Sequence, residues 1–227
     1  MKKTVLNRVL SVICAVMVAV LVITFSIGLP IYVRPFYYVQ IDLLGMPEDT
    51  GYDYDTIKAA YDEVLDYLTL PGRQFGTGEL KYSEVGEGHF ADCRALFDLN
   101  LAAFVISLGT VLVLFILNRR GIIRLCSPFG FGPGFFAGAS TLSVFALLGI
   151  IVSLDFNTAF TVFHTVFFPG KDNWIFNPSK DEIIKVMPQQ FFMNCAILIA
   201  SSIIIISLAL IIHGILARKR AKNKSEV

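Results

Sequence analysis

Charge is what this sequence has least of, and it is missing in long blocks. No Asp, Glu, Lys or Arg occurs between Arg8 and Arg34, between Asp98 and Arg119, between Arg124 and Asp155, or between Lys185 and Arg218. Only 16% of the 227 residues are charged and 55% are hydrophobic, which excludes an ordinary soluble domain. Ionisable groups inside the apolar stretches are what a proton-coupled transporter or ion pump uses, so transport is disfavoured. There is no His-Glu-x-x-His, and no spacing of the four cysteines resembles a metal or thioredoxin motif. A Gly-x-Ser-x-Gly elbow and a phosphate-cradling glycine loop are also missing. No repeat or low-complexity tract is present. These absences argue against a metal, a cofactor and a serine nucleophile.

What is present is four apolar stretches, approximately 9–31, 99–118, 135–154 and 191–216, each close to the roughly 20 residues that cross a bilayer as a helix. The bases sort sharply about them. Lys2, Lys3, Arg8, Arg119, Arg120, Arg124, Arg218, Lys219, Arg220, Lys222 and Lys224 flank one side, where the only acid is Glu226. Segments 34–98 and 155–190 hold the other eight bases and 17 of the 18 acids. The positive-inside rule predicts both termini, the 118–134 loop and the 218–227 tail in the cytoplasm, with 34–98 and 155–190 outside. The basic clusters are thereby explained without a nucleic-acid partner. The first apolar stretch is too long for a signal-peptide core. Ile13 precedes Cys14 where a lipoprotein signal needs a small residue, so a retained helix is expected. The fold class predicted is an all-α integral membrane protein, a single membrane domain of four transmembrane helices with a small extracellular cap.

Within the cap, Ile57, Tyr61, Val64, Leu65 and Leu68 recur at helical spacing, with Asp55 as the expected N-cap and Pro71-Gly72 as the stop. A further helix is expected to start near Glu84 to Gly88 and to continue through Asp98 into the second span. In the outer segment 155–190, Ser179 and Glu182 have capping-box spacing and predict a short helix over roughly 180–186. Cys14, Cys93, Cys126 and Cys195 read as small buried residues; a Cys93–Cys195 pairing is left open.

The chain has three histidines. His213, near the cytoplasmic end of the fourth stretch, reads as a side chain reaching for the interface. His89 lies about ten residues before the second span, and His164 about ten after the third. Two distant segments therefore deliver one imidazole each to the same depth. Either histidine alone is most simply an interfacial polar residue; two at matching depth suggest general acid–base chemistry. His164 is set among Phe163, Phe167 and Phe168, with the single tryptophan, Trp174, ten residues on. Such a cluster would exclude water and hold acyl chains, though each aromatic taken singly fits an interfacial belt. Asp92, three residues after His89, could share its helix face and fix its tautomer, or be a solvated surface charge. Arg34 and Arg94 could donate to an oxyanion or simply anchor the interface.

Two motif regions carry a resemblance. The first is His89-Phe90-Ala91-Asp92-Cys93-Arg94 with Leu96-Phe97. The second is Phe163-His164-Thr165-Val166-Phe167-Phe168, then Trp174-Ile175-Phe176-Asn177-Pro178, Asp181, Ile183-Ile184, Pro188 and Phe191-Phe192. With the length, the four spans and the outer cap, they resemble the lipoprotein intramolecular transacylases of low-GC Gram-positive bacteria over nearly the whole chain. The sequence departs from that pattern at Cys93, where Val is usual, and at Arg94, where Lys is usual. The resemblance implies an acyltransferase of the bacterial cell membrane with its active site at the extracellular face. It would act without cofactor or obligate protein partner on diacylated lipoproteins held in membrane lipid. It would move the middle glyceryl acyl chain onto the α-amino group of the modified cysteine, with His89 and His164 catalytic. A non-enzymatic scaffold using the cap for docking, and an acyltransferase with a separate lipid donor, are the rival expectations.

Overall fold

The computed structural model describes residues 2–225; Met1, Glu226 and Val227, and with them the last part of the expected 218–227 tail, lie outside the described residues. Among those described there are helices and no strands. The chain divides into two compact units. Four helices are long and apolar enough to cross a membrane: α1 (Lys2–Tyr32), α5 (Glu84–Arg119), α6 (Pro133–Leu154) and α9 (Gln189–Ser225). Each contributes residues to both units.

One unit comprises residues 1–27, 101–150 and 199–227. Small residues let its backbones close up. A Cβ on Gly138 would lie 2.7 Å from the Ser207 carbonyl oxygen, so only glycine permits α6 and α9 to meet there. The 120–127 loop is fastened by side chains: the Cys126 N–H donates to Ser11 Oγ at 2.6 Å, and the Leu125 N–H to Asn118 Oδ1 at 3.0 Å. Arg218 lies 4.6 Å over the Phe131 ring. His213 is exposed on α9.

The other unit comprises residues 28–100 and 151–198. It contains α2 (Pro35–Leu43), α3 (Met46–Thr50), α4 (Tyr54–Thr69), α7 (Phe156–Phe167) and α8 (Ile183–Val186). The amphipathic α4 supplies its core: Ile57, Tyr61, Val64, Leu65 and Leu68 are all buried. Tyr61 stacks on Tyr37 with ring centroids 3.5 Å apart, and Phe191 meets both rings edge-on. The Tyr37 hydroxyl donates to the Val186 carbonyl at 2.6 Å, tying α2 to α8.

Local expectations are corrected in two places. The N-cap of α4 is Asp53, whose carboxylate accepts from the Thr56 N–H at 2.7 Å; Asp55 falls inside the first turn. The Ser179–Glu182 capping box does not form. Glu182 precedes the shorter α8, and its carboxylate accepts instead from the Lys81 N–H at 3.0 Å and from Lys185. A partner distant in sequence outcompetes the local one. A helix beyond those expected follows the third span: Asp155 breaks α6, accepts from the Thr158 N–H at 3.0 Å, and so starts α7.

Candidate active site

His89 is the sixth residue of α5, and His164 lies in the last turn of α7. Their ring centroids are 5.8 Å apart, and the two residues are only 6% and 7% exposed. Phe168 seals both, with its ring 4.9 Å from His89 and 5.7 Å from His164. Phe176 closes on His89 at 5.5 Å. Phe160 lies 4.3 Å from His164, and Trp174 stacks on it at 4.5 Å and 26°. Phe156, Phe160 and His164 recur every four residues, so one face of α7 presents an aromatic row that ends on the imidazole. Phe163 meets His164 edge-on at 5.4 Å but is half-exposed, and Phe167 packs on Phe163 with half its surface open.

Hydrogen bonding fixes the chemistry of His164. Its Nδ1 lies 2.7 Å from the Phe160 carbonyl oxygen. A carbonyl only accepts, so Nδ1 carries the proton and Nε2 keeps its lone pair. No described residue bonds that Nε2. Burial pushes the His164 pKa below its ordinary value, opposed by the Phe160 carbonyl. The neutral form is therefore the resting form near pH 7.

The surroundings of His89 differ. Its Nε2 is 3.4 Å from the Cys93 thiol, a weak partner one helical turn on. All four cysteines are free thiols, Cys93 and Cys195 included. Asp92 does not hold His89 directly, as its spacing suggested. Its carboxylate accepts from Lys171 Nζ at 2.5 Å and from Asn173 Nδ2 at 3.0 Å, and it is the Asn173 side chain that lies against the His89 ring. Neither Lys171 nor Asn173 carried a sequence signal beyond sitting just before Trp174. One short turn serves both imidazoles: the Trp174 indole N–H donates to the Lys171 carbonyl at 3.2 Å, Trp174 covers His164, and Asn173 faces His89.

The two arginines are engaged in the cap. Arg34 forms ion pairs with Asp62 at 2.9 Å and with Asp66. Arg94 lies 5.1 Å over the Tyr67 ring and donates to the Leu70 carbonyl at 3.2 Å. Neither contacts an imidazole among the described residues, so the structure does not bring them to the histidines.

Glycine lets the loop close on α5. A Cβ at Gly86 would run into the Asp181 carboxylate and stand 3.2 Å from the Phe176 ring. Asp181, itself buried, accepts from both the N–H and the hydroxyl of Ser83 at 2.8 Å, and Ser83 Oγ in turn accepts from the Gly86 N–H at 3.1 Å, capping the helix that carries His89. A separate cavity of ≈ 490 Å³ opens at the start of α7, lined by polar Asp155, Asn157, Gln189 and Gln190 besides Leu154, Phe156 and Met193. It includes neither histidine. Among the described residues no cluster of His, Cys, Asp and Glu could hold a metal ion.

The family model for "Lipoprotein intramolecular transacylase Lit" matches residues 12–192, a stretch that contains both histidines and every aromatic side chain around them. The chain belongs to the Lit family. It is a membrane-integral lipoprotein intramolecular transacylase, an acyltransferase rather than a scaffold. Its fold is that of the Lit transacylase from Bacillus cereus, with 22% identity, a TM-score of 0.85, and coverage of 98% of this chain and 99% of that one. Two further structures of the Bacillus cereus protein, in which one histidine is replaced by arginine or by alanine, match with TM-scores of 0.79 and 0.78 at 21% and 22% identity. They cover 96% and 98% of this chain and 95% and 96% of those. No curated protein sequence matches the chain.

Proposed function

We propose that this Lit protein moves the acyl chain at the middle glycerol position of a diacylglyceryl-modified N-terminal cysteine onto that cysteine's own α-amino group. The product is a lyso-form lipoprotein. The reaction takes place at the outer face of the bacterial cell membrane, where the charge pattern puts segments 34–98 and 155–190. The observation that carries the reading is the paired, water-shielded imidazoles of His89 and His164, one of them with a fixed tautomer and a free Nε2.

Donor and acceptor sit in one molecule, so no acyl-enzyme is required. The amine reaches the ester carbonyl through a ring of roughly eight atoms, which is entropically awkward, and a cavity that holds the substrate folded supplies much of the rate. The α-amino group has a pKa near 8 and arrives mostly as ammonium. Two protons must leave nitrogen before the amide is complete, and two neutral imidazoles can take them. His164 Nε2 takes the first and frees the lone pair that attacks the ester carbonyl. His89 Nε2, released from its weak thiol contact, takes the second. It hands that proton to the glycerol oxygen as the C–O bond breaks, and His164 gives its own to water. The net change is one amide formed, one ester lost, one hydroxyl gained and one proton released.

The test uses purified enzyme and a single synthetic diacylglyceryl lipopeptide in detergent, with acyl-labelled phospholipid added. The expected product keeps the mass of the substrate, resists mild base at its new amide and carries no label. Label in the product would mean an external donor and would overturn the intramolecular reading.

A further inference from the structure

Two buried polar atoms beside His89 lack an aligned partner: Nδ1 of His89 itself and Oδ1 of Asn173. They belong to side chains that lie against one another. Position 88 lies alongside them: a Cβ there would stand in ordinary contact with Asn173 Nδ2, at 3.8 Å. Asp92 decides which way the amide points. A carboxylate only accepts, and it already receives Lys171 on one oxygen at 2.5 Å. The group Asn173 turns to the other oxygen, at 3.0 Å, must therefore be its NH2. The amide oxygen, without a partner among the described residues, is left for an Nδ1–H on His89, whose Nδ1 is likewise unpaired.

We infer that Asn173, held by Asp92 and Lys171, is the positioning residue that fixes His89 as its Nδ1–H tautomer and so makes Nε2 the reactive nitrogen. The role matches that of the Phe160 carbonyl toward His164. Both imidazoles then offer an Nε2 lone pair, as the removal of two protons from one nitrogen needs. A buried Nδ1 and amide oxygen left unpaired would carry a desolvation cost, which their hydrogen bond removes when the pocket closes around substrate. The inference rests on the proposed role of His89, but its test can be read without turnover.

The experiment is 15N NMR of the full-length enzyme in nanodiscs with 15N-labelled histidine, the His89 signals being those lost in His89→Gln. The wild type should show a protonated Nδ1 and a bare Nε2. Asn173→Ala should lose that preference and lower kcat roughly 10- to 100-fold, as loss of an orienting partner does for other functional histidines, with KM within about twofold. Exchanging the two partners, Asp92→Asn together with Asn173→Asp, keeps an acceptor toward His89 and a donor between the pair. It should restore both the tautomer and most of kcat, whereas Asn173→Asp alone sets two carboxylates together and should not. An Nε2–H tautomer in the wild type, or an unchanged Nδ1–H tautomer in Asn173→Ala, overturns the inference. If the tautomer responds as expected while His89→Ala remains fully active, the positioning stands and the catalytic role of His89 falls.

Discussion

At the scale of single residues, the site is two imidazoles that the protein treats differently. His164 has its proton fixed by a carbonyl and its face covered by Trp174. Its folded pKa is depressed, so the neutral base survives as pH falls through 6.5, the ordinary value, and is lost only below it. The kcat of the saturated enzyme should accordingly hold down past pH 6.5; a loss already complete at that pH would contradict the assignment. Trp174 should stabilise the imidazolium that forms during turnover by about 1 kcal/mol. Trp174→Leu should then lower kcat roughly fivefold, with Trp174→Phe nearer the wild type in the same assay. His164 and its aromatic wall were legible in the sequence because a lone ionisable group among phenylalanines stands out, and His89 because it lies as far from its span as His164 does from its own. Asn173 and Lys171 were not, since loop residues carry no period and their partners lie 81 and 79 residues away. Arg34 and Arg94 were legible only as cations; which carboxylate or ring would take them depends on the packing of α4.

At the scale of elements, the decisive contact is between the 173–182 loop and the first turn of α5. Asp181 caps that turn through Ser83, Glu182 exchanges backbone and side-chain hydrogen bonds with Lys81, and Gly86 leaves room for the Asp181 carboxylate and the Phe176 ring. Glycine within a helix ordinarily costs about 0.5–1 kcal/mol relative to alanine, so replacing it usually stabilises. Here the sign should reverse: Gly86→Ala should lower the melting temperature and reduce activity by displacing the loop that carries Asn173 and Trp174. A stabilised, fully active Gly86→Ala enzyme would mean that the loop does not depend on this close approach. The Glu182 carboxyl is held down to about 2, chiefly by the Lys81 N–H, then by Lys185. Its folded pKa is depressed, so its contribution is present above the ordinary carboxyl range and fades as pH falls from about 4.5 toward 2. Among the elements, α4 was readable because its apolar stripe has a clean helical period. The helix α7 was not. No proline or glycine separates the end of the third span from Phe168, and the break is marked by Asp155 with Thr158 three residues on.

At the scale of the whole molecule, four helices that can cross a membrane were visible from bilayer thickness alone, because 20 uncharged residues have few other uses. The orientation is a proposal from charge, and thiol labelling tests it. With the native cysteines replaced, Ser179→Cys should react on intact cells with a membrane-impermeant maleimide, and Arg120→Cys only after lysis; the opposite pattern would invert the topology. The central claim is that His89 and His164 together shift an acyl chain within one lipoprotein. Its most direct test is tandem mass spectrometry of a lipoprotein N-terminal peptide from a host that makes only diacylglyceryl lipoproteins, expressing the wild type, His89→Ala or His164→Ala. The account predicts an unchanged total mass with one acyl chain moved from glycerol to nitrogen in the wild type, and no transfer in either variant at normal expression. Transfer that persists in both variants, or a gain of one acyl chain, would contradict it.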